Sequence, residues 1–325
     1  MKKNKYLSKE YTNCLRGIFA ILVVLHHLYL HTEILQGTFL GAILKLSGAL
    51  SVAVFFFFSG YGLTLSSNKK NYIQTFFRNR FLPLYCFYIV LVILYSLWTL
   101  LLEKSISPQQ VVQSLFFGST VVTNGWYMQA TFVMYLLFWL IFNFFKSTNT
   151  RIILLSIASL AYFALCFFSG LGAWWYQSIF CFVFGMVYCY KKDIFDTLLE
   201  KFTWPIFIST VILFVIFVLI SNVFAPARIA YLLLFVCVVL SLSYILCDTP
   251  IINNLFFSLC GKYSLEIYVT HGLFLRLIWL NITENKLIYI LTVIIGTVIM
   301  SVIMKIVYTK IVKLISIPNQ RNYKQ

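Results

Sequence analysis

The chain has 325 residues, of which 61% are hydrophobic and 10% are charged, and its mean hydropathy is +0.91. A soluble globular domain is excluded, because its hydrophobic share is usually about 45–50%. The apolar residues form continuous runs of about 20, the length that crosses a hydrocarbon core of about 30 Å. The sequence therefore predicts an all-α, polytopic membrane helical bundle, since a membrane barrel would show period-two alternation.

The formal net charge of +16 does not indicate a nucleic-acid partner. The cations lie at the ends of apolar runs, not along one face with interleaved aromatic residues, so membrane topology explains them better. The eight cysteines and four histidines lack the spacing of a zinc site. We therefore predict no metal and no nucleic acid.

Ten membrane spans are predicted in chain order, at about 13–31, 39–65, 81–102, 126–145, 152–169, 173–190, 204–222, 228–247, 262–280 and 287–308. The intervening stretch 105–125, "SISPQQVVQSLFFGSTVVTNG", is too polar and too interrupted to span. We interpret it as a loop that dips into the membrane.

The cations predict the orientation of the bundle. With the amino terminus in the cytoplasm and alternating spans, 20 Lys and Arg residues fall on the cytoplasmic side. Four fall on the outer side, and Arg276 lies inside a span. Adding or removing one span would destroy this asymmetry, so both termini are predicted to be cytoplasmic.

The first span, "RGIFAILVVLHHLYLH", carries a cation at its start and three histidines at its end. Arg16 and His27 are eleven residues apart, so they share a helix face about 16 Å apart along the axis. His31 follows on that face, whereas His26 points about 100° away. A histidine inside a membrane is a candidate general base, and the alternative is a structural histidine bonded to a neighbouring helix.

The second span ends in "FFFFSGYG" and is followed by a basic segment that closes on "RNRFLPLY". Ser59 interrupts an apolar helix, where it can bond to backbone or ligand. Arg78 and Arg80 precede the next span, at a position that suits an anionic donor such as coenzyme A. The alternative is that these cations only set the orientation of the helices in the membrane.

Two further segments contain candidate residues. "KYSLEIYVTHGLFLR" holds Glu266, the one acidic residue in the middle of a predicted span, together with Tyr263 and His271. An intramembrane ionisable residue is a functional candidate by default, and a structural ion pair is the alternative. Trp126 and Tyr127 begin the fourth span, where an aromatic belt would also place them.

Taken in order, these stretches resemble the acyltransferase-3 family of integral-membrane O-acyltransferases. The family pattern of an arginine, ten residues and a histidine corresponds to Arg16 and His27. The Ser-Gly-aromatic, Arg-x-x-Pro and Trp-Tyr patterns are similar to the stretches around Ser59, Arg80 and Trp126, and the late Ser-x-x-x-Tyr-x-x-His pattern to Ser264, Tyr268 and His271. One departure concerns a second arginine three residues before Arg80, where this chain has Phe77, with Arg78 one residue nearer.

The resemblance implies a single acyltransferase-3-like transmembrane domain over 1–325, with no appended soluble domain. It implies His27 as the catalytic base, with Glu266 as a catalytic support candidate. The implied substrate-binding set is Arg16, Ser59, Arg78, Arg80, Trp126, Tyr127, Tyr263 and His271. His26 and His31 serve as internal controls.

The implied reaction is acyl transfer, with acetyl as the expected group, from cytoplasmic acyl-CoA to a hydroxyl of a surface polysaccharide or other glycan. The implied setting is the bacterial cytoplasmic membrane, with membrane lipid, the glycan acceptor and a polysaccharide synthase or export complex as partners. The alternative is a transporter or exporter of a polysaccharide or lipid-linked sugar, in which the same polar residues line a path. Consumption of an acyl thioester distinguishes the two.

Overall fold

The computed structural model describes residues 5–102, 104–118, 120–277 and 285–316. Within these residues the secondary structure is entirely helical. In chain order the α-helices are α1 (Lys9–Thr32), α2 (Phe39–Ser67), α3 (Tyr72–Leu101), α4 (Pro108–Ser114), α5 (Trp126–Phe144), α6 (Thr148–Phe168), α7 (Phe180–Tyr190), α8 (Lys192–Ile220), α9 (Ala227–Leu246), α10 (Leu255–Lys262), α11 (Ser264–Leu275) and α12 (Lys286–Ile315).

Eight of these helices, α1, α2, α3, α5, α6, α8, α9 and α12, are long and apolar enough to cross a membrane. They confirm the all-helical membrane class and eight of the ten predicted spans. The other two predicted spans contain α7 and α11, which at 1.5 Å per residue are only about 16 and 18 Å long. Ten crossings and cytoplasmic termini therefore stay predictions, and the end of the 262–280 span lies outside the described residues.

Local capping fixes the boundaries of α1, the helix that carries the candidate base. The Ser8 hydroxyl accepts a hydrogen bond from the backbone N–H of Tyr11, which satisfies a donor that the helix leaves unpaired. At the other end Glu33 adopts a left-handed conformation with φ 54°, and its N–H bonds to the Tyr29 carbonyl. Arg16 and His27 therefore lie on one continuous helix.

The Ser-Gly motif of α2 marks a close helix crossing. A Cβ built on Gly60 would lie 2.0 Å from the Phe182 carbonyl oxygen of α7, and one built on Gly185 of α7 would lie 2.2 Å from the Phe57 carbonyl oxygen. Side chains larger than hydrogen cannot fit at either position. Small residues allow this approach inside a membrane, where packing drives helix association.

The segment between α3 and α5 is held inside the bundle by polar contacts. The side chain of Gln129, on α5, donates to the Tyr88 hydroxyl at 3.0 Å and to the Ser114 carbonyl at 2.9 Å. The Ser114 hydroxyl accepts from the Val121 N–H at 2.8 Å. Gln129 and Ser114 are both buried. The predicted loop is thus an anchored segment that ends at the candidate site.

Candidate active site

The site has two ends, defined by Arg16 and His27 on α1. Arg16 lies near the start of the helix, half-buried, with its guanidinium carbon 5.7 Å from the centroid of the Phe58 ring. His27 lies eleven residues later, also half-buried. The predicted helical register is confirmed because α1 is unbroken, so the two groups are about 16 Å apart along its axis.

The Arg16 end brings two cations together. Arg16 interacts electrostatically with Arg80 and with the hydroxyls of Tyr127 and Tyr135. Among the described residues no carboxylate lies within ion-pair distance of either guanidinium. Arg16 is half-buried and Arg80 is exposed. A half-buried cation without a counter-charge, next to a second cation, favours an anion beside the two guanidinium groups.

Arg78 and Arg80 lie in a five-residue π-helical segment, Phe77–Phe81, at the base of α3. Such segments are uncommon and occur often at functional sites. Arg78 turns away from the site and donates from Nε to the Ile315 carbonyl of α12 at 2.9 Å. Arg80 lies near the hydroxyl of Tyr72. Arg78 and Arg80 therefore have different contacts, and the substrate-binding role of both stays a prediction.

Ser59 and Tyr127 lie between the two ends. The Tyr127 hydroxyl interacts with Ser59 and with Thr131, and the Tyr127 ring lies 5.0 Å from the ring of Tyr268. Trp126 points the other way and packs near Trp175, with ring centroids 6.4 Å apart. Of the predicted aromatic pair, only Tyr127 is continuous with the His27 end through Tyr268.

At the other end His27 and His271 meet across Asn124. The imidazole rings are stacked with centroids 5.2 Å apart. The Asn124 amide nitrogen lies 3.0 Å from His27 Nε2 and 3.4 Å from His271 Nε2. His27 and His271 are 244 residues apart in the sequence, so α1 and α11 must pack together to build this cluster. The sequence did not predict this approach of His271 to His27.

Hydrogen bonding orients His271. Its Nδ1 lies 3.2 Å from the Ile267 carbonyl, one helical turn earlier on α11. A carbonyl only accepts, so Nδ1 carries the proton and Nε2 presents its lone pair to Asn124. His271 is fully buried, and its position is fixed by its own helix.

Asn124 is a residue that the sequence reasoning missed. Its backbone is left-handed, with φ 59°, a conformation that asparagine tolerates better than most residues. Its carbonyl accepts a hydrogen bond from the Tyr268 hydroxyl at 3.1 Å. The sequence feature that could have indicated Asn124 is the Asn-Gly pair just before α5, because this pair is typical of a turn.

Arg276 fixes the segment that carries Asn124. From the end of α11 it donates to the Thr123 hydroxyl at 3.0 Å, to the Thr99 hydroxyl at 2.5 Å and to the Val121 carbonyl. Its guanidinium carbon also lies 4.8 Å from the centroid of the Tyr95 ring. One half-buried cation therefore connects α11, α3 and the loop.

The two control histidines differ from His27 in their surroundings. His26 donates from Nδ1 to the Leu44 carbonyl of α2 at 2.9 Å, and its ring fills the space beside Gly48. Its ring centroid is 4.8 Å from that of His27. His31 is exposed. His26 thus joins α1 to α2, and the three histidines of the first span have three different environments.

Glu266 lies apart from the histidine cluster. Its carboxylate is fully buried and accepts from Lys305 Nζ of α12 at 3.2 and 3.4 Å. Tyr263 lies on the same side, its ring centroid 6.0 Å from Lys305 Nζ. The partner is a lysine of α12, so Glu266 takes part in an ion pair. This geometry favours the structural alternative for Glu266 and separates Tyr263 from the cluster.

The fold and these clusters define a multi-pass membrane protein whose first helix carries a cationic cluster near its start and a histidine cluster near its end. The family model of the acyltransferase-3 family, described as an acyltransferase domain, matches residues 9–307. The chain therefore belongs to the acyltransferase-3 family. Comparison with curated proteins and with solved structures finds no match to this chain. Membership supports an acyltransferase over the transporter alternative.

Proposed function

We propose that the protein transfers an acyl group, with acetyl as the expected group, from cytoplasmic acyl-CoA to a hydroxyl of a cell-surface glycan. The observation that carries the proposal is the pairing of two ends on one helix. Arg16, which interacts with Arg80, lies about three helical turns (about 16 Å) along α1 from His27, which stacks on His271.

The cationic end suits the donor. Coenzyme A carries several phosphate charges, and guanidinium groups bind phosphates through paired, charge-assisted hydrogen bonds. Arg16 and Arg80 lie among the hydroxyls of Tyr127, Tyr135 and Tyr72, which offer further donors. The flexible arm of the cofactor then carries its thioester along the bundle toward His27, past Ser59.

The histidine end suits the chemistry. His27 takes the proton of the attacking hydroxyl as its oxygen forms a bond to the thioester carbonyl carbon. The carbon–sulfur bond then breaks, and the proton passes to the departing thiolate. The products are an ester and free coenzyme A, so atoms and charges balance. His271 accepts a hydrogen bond from the Asn124 amide and acts as a positioning residue for that amide.

The positive-inside asymmetry of the sequence supports this setting, with Arg16 near the cytoplasmic surface and His27 well inside the membrane. In that orientation the donor approaches from the cytoplasm and the acceptor from the opposite side of a bacterial cytoplasmic membrane. Capsule, exopolysaccharide and other wall glycans present the required hydroxyls, and a polysaccharide synthase or export complex is the expected partner.

The experiment uses purified full-length protein with radiolabelled acetyl-CoA, following thiol release and label in extracted glycan. Wild type is compared with His27→Ala, and with His26→Ala and His31→Ala as controls from the same helix. We expect His27→Ala to lose transfer while remaining folded, with the two controls active. Transfer retained without His27 overturns its role as base. A wild-type protein that consumes no thioester overturns the enzyme.

A further inference from the structure

The amide group of Asn124 is the polar group nearest to the candidate base. Its nitrogen lies 3.0 Å from His27 Nε2, within normal hydrogen-bond distance. A primary amide nitrogen has two hydrogens, and the second points to His271 Nε2 at 3.4 Å. Both amide hydrogens therefore face the two imidazoles, beside the candidate base.

The orientation of this amide is set by its neighbours. His271 Nε2 can only accept, because its Nδ1–H bonds to the Ile267 carbonyl. An amide turned the other way would direct its oxygen at that lone pair. The nitrogen of Asn124, not its oxygen, therefore faces the two imidazoles. One hydrogen of the Asn124 amide stays bonded to His271. The other hydrogen can bond either to His27 or to a substrate.

The backbone of Asn124 is equally constrained. The Tyr268 hydroxyl bonds to its carbonyl, and Arg276 holds the preceding Thr123. Its left-handed φ of 59° is maintained by these contacts. A donor held in place before the reaction stabilises developing charge without the cost of reorganisation.

We propose that Asn124 stabilises the oxyanion of the acyl-transfer transition state, an assignment that rests on the proposed function. In the empty site its amide donates to His27. When the acceptor hydroxyl takes that position on Nε2, the freed N–H donates to the thioester carbonyl oxygen. That oxygen gains negative charge as the hydroxyl oxygen attacks and loses it again when the carbon–sulfur bond breaks.

The other donors of the site are committed elsewhere. The Arg276 guanidinium bonds to Thr99, Thr123 and Val121. Arg16 lies about 16 Å from His27 along α1. Among the groups described at the histidine end, the Asn124 amide is the donor that lies beside the base and is released when the substrate binds.

Two substitutions separate the amide hydrogens from the other properties of the residue. Asn124→Asp keeps the shape, removes the donors and introduces a carboxylate. Asn124→Gly adopts the left-handed backbone without cost and removes the side chain. Asn13→Asp is the matched control, because the Asn13 amide also joins two helices, α1 and α10, by donating to the Ser258 carbonyl at 2.8 Å.

The assay measures thiol release from acetyl-CoA by purified protein, with water and then a panel of methyl glycosides as acceptor probes. Loss of one oxyanion donor lowers kcat by about 100- to 1,000-fold in well-studied acyl transfer. We expect both Asn124 variants to show such a fall, with KM for acetyl-CoA within about threefold of wild type. Asn13→Asp should remain within about threefold in both constants.

The outcomes distinguish this assignment from the function on which it rests. If His27→Ala is inactive but either Asn124 variant keeps kcat within threefold, the assignment is wrong and the enzyme stands. A raised KM with unchanged kcat also overturns it, because the amide then serves ground-state binding. If wild type releases no thiol, the proposed function fails, and the assignment fails with it.

Discussion

The Glu266–Lys305 pair offers a test of which buried charges support the fold and which support the chemistry. The carboxylate is fully buried, whereas the Lys305 side chain is 36% exposed. Removal of the lysine leaves a negative charge inside the bundle. Removal of the carboxylate leaves an ammonium on a flexible stem that can reach toward water. The two single substitutions should therefore differ in cost.

The cost of Lys305→Met can be bounded. Removing one partner of a buried ion pair costs about 3–5 kcal/mol, and partial exposure of the lysine lowers this range. The stranded carboxylate can instead take up a proton, which at pH 7 costs about 3.7 kcal/mol for a carboxyl with an ordinary pKa of about 4.3. We expect a loss of about 2–4 kcal/mol, a smaller loss for Glu266→Gln, and near recovery in the double variant.

The stability of the Lys305→Met variant should depend on pH, and the direction of that dependence can be predicted. In Lys305→Met the folded protein retains a proton on Glu266 that the unfolded chain releases above pH 5. Its stability therefore falls as pH rises. Lowering the pH from 7.5 to 5.5 should recover up to about 2.7 kcal/mol. Thermal unfolding in detergent at both pH values, for wild type, both single variants and the double variant, measures these differences.

Two results would contradict this reasoning. A Lys305→Met protein that melts with wild type at pH 7.5 would show that the pair contributes no stability. A Glu266→Gln protein that melts normally but transfers no acyl group would show that Glu266 acts in catalysis, as the sequence suggested.

Three further predictions concern the donor end, the loop and the α2–α7 crossing. Arg80→Ala should raise KM for acyl-CoA about tenfold or more through a lost charge-assisted contact, and steady-state kinetics should show no such change for Arg78→Ala. Arg276→Met should lower kcat at least tenfold with KM nearly unchanged, because the loop that carries the site loses its anchor; equal activity in the same assay would refute this. Gly60→Ala should cost about 1–3 kcal/mol in thermal unfolding through overpacking, while Gly62→Ala, whose added Cβ meets no atom within 4 Å, should melt as wild type.

Hydropathy predicted the long spans well because an apolar run of about 20 residues has few alternatives to a membrane helix. The predicted span starts near 81 and 204 coincide with irregularities inside longer helices. The π-helical segment Phe77–Phe81 precedes the first, and Phe202 has a non-helical backbone just before the second. The helical segments before these points begin at Tyr72 and Lys192, and composition did not predict them.

The candidate site was predictable where it depends on one helix and not where it depends on packing. The spacing of Arg16 and His27 fixed their shared face, because helical geometry alone decides it. The approach of His271 depends on the contact of two helices far apart in sequence. Asn124 lies in a loop whose polar anchors, Arg276 and Gln129, are also remote. Neutral polar loop residues carry no periodicity to detect.

The two ends of α1 differ in charge, and this difference is relevant to how the donor would bind and react. The Arg16 end holds cations without a carboxylate partner among the described residues, and the His27 end holds groups that only exchange protons and hydrogen bonds. In the proposed reaction an anionic donor is therefore attracted to one end and reacts at the other. Since one rigid helix sets the separation, the reach of the donor from its phosphates to its thioester must match the distance between Arg16 and His27.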